Sequence, residues 1–376
     1  MTEISKRPAS NRAGHRAGRS SRREFLAGAT ALGLGAAVIG APRIARAAGE
    51  VKVLNWQGYG TDEAWALDAF HKATGNTVVH DYYNSESEMI TKLRTNPGGY
   101  DVVLTNCAWN GLARQGDLIQ PIDTAKIGNW ADLNPAFRDS PLLNDGGKTY
   151  GLSWVWGITA IAYNTEVFKP APDTLAALWD PKLTKRVALR DDGIEAVSFA
   201  AIATGQDMNH PADLAKVKAK LLELKPNIAL LWSSEDEWNK QFAAKAFDIS
   251  AYWSGSALRS KTNFKLPVGY YVPKEGGIGW FDGLAIAKGA PNADGAHAFI
   301  NWMVDPKFYV EWETKVGAPA SANPKAMAAL PDTDPSKALY GDEAAVKRLQ
   351  FMAPLSDKEK QDYSDLWTEV KTAFAG

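Results

Sequence analysis

From about residue 50 onward the chain alternates short β-branched runs with helical patterns, and this alternation sets the expected fold. Glu50–Leu54 reads as a strand. A helix is predicted over Asp62–Thr74, with Thr61 as its N-cap, acids in its first turn and Gly75 as its stop. Thr77–Tyr83 reads as a second strand, Ser85–Arg94 as a second helix and Tyr100–Leu104 as a short apolar strand. A β-α-β-α-β order indicates a parallel sheet with helices on its faces. In such sheets ligands sit at the carboxyl ends of strands. Asn55–Gly60, Asn84–Glu88 and Thr105–Trp109 therefore become candidate site segments.

Residues 147–164, GKTYGLSWVWGITAIAYN, form a long apolar segment of the kind that crosses between two domains. A second α/β unit follows. It has strands over Arg186–Leu189, Phe247–Tyr252 and Leu266–Val272 and helices over Glu195–Thr204 and Pro211–Leu224. Next comes Glu275–Ala287, EGGIGWFDGLAIA. Helices over Asp294–Val304, Pro306–Val316, Asp342–Phe351 and Asp357–Phe374 complete the pattern.

The EGGIGWFDGLAIA stretch carries the chemistry. In an extended segment residues i and i+2 share a face, so Trp280 and Asp282 point the same way. An indole face beside a carboxylate suits a cation. A buried strand whose aspartate caps a turn accounts for the same two residues. Aromatic-plus-carboxylate recurs at other predicted strand ends. Trp56 and Tyr59 follow the first strand, and Trp253 follows a later one. Asp192 and Glu195, three apart, share a face if their segment is helical, and equally suit an N-cap with an acid in the first turn. Together these residues point to a cation-binding cleft between two α/β domains.

Composition changes the picture in three places. The 376-residue chain holds 14 tryptophans, more than core packing requires. The N-terminus is rich in arginine, carries the pair Arg22-Arg23 before a mild apolar run, and ends in Ala45-Arg46-Ala47, an A-x-A cleavage pattern. Residues 1–47 are thus expected to be a twin-arginine export signal, cleaved near Ala47, with the remainder exported to the periplasm. Nine of the 42 Lys/Arg and two of the 43 Asp/Glu lie in residues 1–47, leaving a formal net charge of −8 on the rest. That argues against nucleic acid as a partner and favours a cationic ligand.

Cys107 is the only cysteine, so no intramolecular disulfide can form. The five histidines show no metal-binding spacing, and dinucleotide, P-loop and nucleophile-elbow motifs are absent. No metal, no cofactor and no enzymatic activity are expected.

With these residues assembled, the chain resembles the periplasmic polyamine-binding proteins, the spermidine/putrescine receptors of ABC importers. The resemblance runs from about Val51 to the C-terminal helix. It is carried by LNWQGY at Leu54–Tyr59, YDVV at Tyr100–Val103, VWGITAIAYN at Val155–Asn164, DDGIE at Asp191–Glu195, YWSGSA at Tyr252–Ala257 and PKEGGIGWFDGLAIA at Pro273–Ala287. It implies an α/β, two-lobed periplasmic-binding-protein fold of type II, with parallel-type sheets, flanking helices and crossing strands as the hinge. One lobe takes residues 48–157 plus 282–324, the other 159–281 plus 328–376. Trp56 and Tyr59 resemble the family's first-lobe aromatics, Asp192 and Glu195 the acids at one end of the amine, and Trp253 and Trp280 its stacking indoles. Asp282 resembles the carboxylate that grips an amine nitrogen, and Gln350 an amide near the far end. The chain departs from the family's Ser and Tyr after the third strand, where it has Asn106 and Ala108, and from its Gly-Tyr-Pro, where Ala318 replaces the ring. The implied function is capture of a polyamine by a monomeric receptor and delivery to an ABC permease. Another amine or amino-acid derivative is the alternative that the missing rings motivate.

Overall fold

The computed structural model describes residues 49–56, 59, 61–83 and 85–376; the predicted export signal lies outside them. The β-α-β-α-β opening is present. Strand β1 spans Glu50–Trp56, helix α1 Ala64–Thr74, β2 Thr77–Tyr83, α2 Glu86–Thr95 and β3 Val102–Asn106. β1 pairs in parallel with both β2 and β3. Thr61 does not cap α1. Glu63 occupies the cap position without a side-chain bond, because the Thr61 hydroxyl is buried and engaged by Asn55 Nδ2 at 3.2 Å. Ser85 does cap α2, accepting from the Glu88 N–H.

Helix α3 (Cys107–Gln115) follows β3 directly. The predicted crossing segment is β4, Leu152–Asn164, whose residues are buried except Tyr163. The second unit consists of β5 (Val187–Arg190), α4 (Gly193–Ala203), α5 (Leu214–Leu222), β6 (Ile228–Trp232), α6 (Glu235–Ala243), β7 (Ile249–Trp253), α7 (Ser254–Thr262) and β8 (Val268–Tyr271). The β6–α6 pair is not among the predicted elements. Here β5 pairs in parallel with β6 and β7. Strand β9 takes Gly277–Ala287, helix α8 Ala293–Met303 and helix α9 Pro306–Val316. Of the predicted helix Asp342–Phe351, only Glu343–Val346 is helical. Leu349–Phe351 forms β10, which pairs in parallel with Gly277–Gly279. Open backbone groups at the start of β9 outweigh the local helical pattern there. Helix α10 (Asp357–Ala375) ends the chain behind a capping box at Ser356 and Glu359.

One sheet holds both units, in the order β2-β1-β3-β9-β4-β7-β5-β6. Its two longest strands, β9 and β4, pair antiparallel at the centre. The apolar core changes along them. Leu152–Val155 and Leu284–Ala287 pack with β1–β3, α8 and α9. Ile161 and Ile278 pack with α4, α5 and α10. Between these, Trp156, Ile158, Ala160 and Phe281 form a separate cluster with Tyr340. The strands therefore leave one core and enter another within a few residues, which is how one sheet serves two α/β halves.

Candidate functional site

The site forms where the central strands change cores. The Glu275–Ala287 stretch is the body of β9 and not a strand end. Asp282 lies opposite Val155 on one side and Asn106 on the other. Trp280 lies opposite Gly157 on β4, and Trp253 lies opposite Thr159 two residues further along the same strand. Opposed residues share a face, as do residues i and i+2. Asn106, Asp282, Trp280 and Trp253 thus project from one face of the sheet. Gly157 makes this possible: a Cβ there would stand 2.2 Å from Trp280 Cζ2, so the indole lies across the glycine. The Trp280 Nε1 is buried without a partner among the described residues.

Asp282 is 3% exposed. Tyr59 Oη donates to its Oδ2 at 2.6 Å, and Asn106 Nδ2 donates to its Oδ1 at 3.0 Å. Both donors are neutral. Burial pushes its carboxyl up to about 6 despite these two bonds. Asn106 has a second duty, since its Oδ1 accepts from Ala108 N–H and caps α3. Tyr59 is held by its neighbours. Its carbonyl accepts from Trp312 Nε1 at 2.7 Å, and its ring packs on Trp154 at 5.4 Å, which itself stacks on Trp312 at 5.1 Å. Burial and the Asp282 carboxylate hold the Tyr59 hydroxyl protonated, far above its ordinary range. Trp56 ends β1 with its ring 4.7 Å from that of Tyr83.

At the other unit, Asp192 caps α4 by accepting from Glu195 N–H at 2.9 Å, as the N-cap alternative anticipates. Glu195 is nearly buried, with Oε1 unpartnered among the described residues, and burial pushes its carboxyl up to about 7. Arg190, the last residue of β5, reaches both acids. Its Nη1 lies 3.4 Å from Asp192 Oδ2 and 3.4 Å from Glu195 Oε2. Its guanidinium lies over the Trp253 ring, 4.9 Å from the centroid, while Trp232 meets the same indole edge-on at 5.2 Å.

A family model described as bacterial extracellular solute-binding protein matches residues 65–339. The chain belongs to the bacterial extracellular solute-binding proteins. Spermidine/putrescine-binding periplasmic protein 1 of Haemophilus influenzae is 32% identical over 330 residues, 86% of this chain and 89% of the relative. The corresponding Salmonella typhimurium protein is 30% identical over 341 residues, 90% of this chain and 94% of its own length. Among solved structures, the spermidine/putrescine ABC transporter substrate-binding protein PotD of Streptococcus pneumoniae superposes with a TM-score of 0.77 at 26% identity, covering 86% of this chain and 99% of that one. The two-lobed fold of a solute-binding receptor is therefore that of this chain, and the family are receptors of ABC transporters, not enzymes.

Within this solute-binding protein not every predicted site residue falls in one place. Gln350 Oε1 accepts from Met208 N–H at 2.8 Å. It lines a depression with Gln206, Asp207, Asn209 and Glu275, which no other predicted site residue shares. Ala108 lines a small cavity with Trp109, Ile194 and Met208. The chain passes an arginine just before Ala318. Arg259 Nη1 donates to the Gly317 carbonyl at 2.8 Å, and Glu235 takes its Nε and Nη2 at 2.9 and 2.5 Å. Ala318 itself is buried, with its N–H on Glu313.

Two charged residues of the candidate site are not singled out by the sequence, although one of them falls within the candidate segment Asn84–Glu88. One is Arg190. The other is Glu86, in the first turn of α2, half-buried and within electrostatic reach of Asp282, Asp192 and Arg190. Burial pushes Glu86 up to about 7, and Asp282 pushes the same way.

Proposed function

We propose that this protein is an exported, monomeric receptor that captures a small organic amine of the putrescine and spermidine class and hands it to an ABC import permease. The observation that carries this reading is Asp282. A carboxylate buried among neutral donors is costly unless a cation joins it, and Trp280 stands beside it with a face suited to that cation. The relatives' names, which specify spermidine and putrescine, support the same ligand class. In this reading the lobes are residues 48–157 plus 282–324 and 159–281 plus 328–376, and they close on the amine about β4 and β9. Residues 1–47 direct export through the twin-arginine route and are removed near Ala47. Calorimetric titration with putrescine, spermidine and spermine tests the assignment. Saturable binding of at least one is expected, and no heat with any of them together with no thermal shift would sink it.

A second reading is favoured by Arg190. The acids expected to hold one end of the amine already hold an arginine. An amine that is also an amino-acid derivative fits such a site.

A further inference from the structure

The two ends of the site differ in what they leave unsatisfied. At the Asp282 end the free capacity is negative. Asp282 has only Tyr59 and Asn106 as donors among the described residues. Glu86 accepts from its own backbone N–H, has no bond to another side chain among the described residues, and lies within electrostatic reach of both Asp282 and Arg190. At the other end the free capacity is positive. Arg190 uses a single nitrogen, Nη1, for both Asp192 and Glu195. Its Nε and Nη2 donate no hydrogen bond among the described residues, although its side chain is only 26% exposed. A guanidinium presents parallel N–H groups in a planar fork that matches a carboxylate bidentately. The Arg190 fork is also held in place, since its Cζ stands over the Trp253 ring and Nη1 lies 3.4 Å from each of the two acids.

An α,ω-diamine meets this arrangement badly. Its second ammonium would have to displace Arg190 from Asp192 and Glu195, or lie beside a guanidinium of the same sign. Like charges in a desolvated site repel by an amount that decides specificity. A ligand with an ammonium at one end and a carboxylate at the other offers Asp282 a cation and the free N–H edge of Arg190 an acceptor, which a second ammonium cannot be. We propose that the preferred ligand is an ω-amino carboxylate, its ammonium seated at Asp282 and Glu86 and its carboxylate received by the free edge of Arg190. This rests on the assignment of Asp282 as the cation seat and names the other half of the ligand.

Matched pairs of ligands test it on the full-length protein: putrescine against 4-aminobutanoate, and 1,6-diaminohexane against 6-aminohexanoate. Each pair has the same number of carbons and differs at one terminus, where an aminomethyl group gives way to a carboxylate. Calorimetry is expected to show the amino carboxylate of at least one pair binding at least tenfold more tightly than its diamine. Arg190→Gln is expected to remove that preference and to strengthen diamine binding, while Arg190→Lys, which keeps the charge without the fork, retains part of the preference. A wild-type preference for the diamine in each pair that shows binding overturns the carboxylate assignment and leaves the amine receptor standing. Binding of neither class overturns the carboxylate assignment, and overturns the amine receptor too if spermidine and spermine also fail to bind. If Arg190→Gln fails to fold, judged by circular dichroism, the wild-type ratio decides alone.

Discussion

The two acidic centres of the site are built in opposite ways. Asp282 sits deep in the sheet with two neutral donors and no cation of its own among the described residues. Asp192 and Glu195 sit at the start of a helix and share Arg190 between them. Both centres contain carboxylates at the face of a sheet beside an indole, and by residue type they look interchangeable. Their electrostatics are not. A carboxylate with a resident arginine has part of its burial cost offset, with Glu195 still raised to about 7, whereas one that relies on neutral donors has no cation until something positive arrives. The first is therefore expected to dominate ligand affinity and the second to set which ligand is accepted.

The largest break in this comparison is Asp282→Asn. An amide in place of the carboxylate keeps much of the local hydrogen bonding and removes the charge. Amine affinity is expected to fall by about 2–4 kcal/mol, the range for truncating one partner of a buried charge pair. Calorimetry with whichever amine binds best checks it, and a loss below tenfold would mean that Asp282 is a structural acid. The unliganded variant should be no less stable than wild type, because an unpaired buried charge has been removed.

Gly157→Ala comes next. The new Cβ would meet Trp280 Cζ2 at 2.2 Å, so the indole must leave its place or the strand must shift. Overpacking of this kind costs about 1–3 kcal/mol, and ligand binding is expected to weaken by a comparable amount through the displaced ring. Tryptophan fluorescence and calorimetry on the same sample separate the two effects. The reach of this test depends on a close approach between β9 and β4 that no local pattern discloses.

Long-range approaches of that kind are what a sequence does not disclose. The W-F-D run of β9 is legible because period-two geometry puts Trp280 and Asp282 on one face whatever surrounds them. The helix starts at Ser85 and Asp192 are legible because capping is local. Arg190 does not read as a site residue, since a basic side chain at a strand end ordinarily reaches solvent. Only the meeting of β5, β7 and α4 places Trp253 beneath it. Glu86 falls within the candidate segment Asn84–Glu88 but is not singled out, because an acid in the first turn of a helix already has a reason to be there. Thr61 and the segment Leu349–Phe351 mislead for the converse reason. Each has a clear local preference that a distant partner, Asn55 for one and the start of β9 for the other, outweighs. The placement of Gln350 away from the other site residues follows from the same pairing, which fixes Leu349–Phe351 against Gly277–Gly279.

A pH series sharpens the comparison further. Burial raises Asp282 to about 6 and Glu86 and Glu195 to about 7, against ordinary values near 4. A carboxyl raised on folding binds more protons in the folded state than in the unfolded one between those limits. Stability of the unliganded protein should therefore rise as pH falls from about 8 toward 5, through those raised values. Ligand binding should run the other way. A proton on Asp282 or Glu86 competes with the ammonium, so amine affinity is expected to drop about tenfold over the same interval. Melting temperatures with and without ligand, measured at each pH, give both slopes. If the unliganded melting temperature falls steadily on acidification through this window, burial does not hold these three acids above their ordinary range.

The smallest expected effect belongs to Asp192→Asn. An asparagine caps a helix about as well as an aspartate, so the bond from Glu195 N–H survives. What is lost is one ion-pair contact of 3.4 Å between side chains 26% and 32% exposed, and partly exposed pairs contribute about 0–1 kcal/mol. Glu195 still holds Arg190, and the guanidinium stays over Trp253. Stability should change by less than about 1 kcal/mol by chemical denaturation, and amine affinity by less than about threefold. A drop near that of Asp282→Asn would mean that Asp192 grips the ligand directly, in which case Arg190 must swing away on binding and the two acidic centres are alike after all.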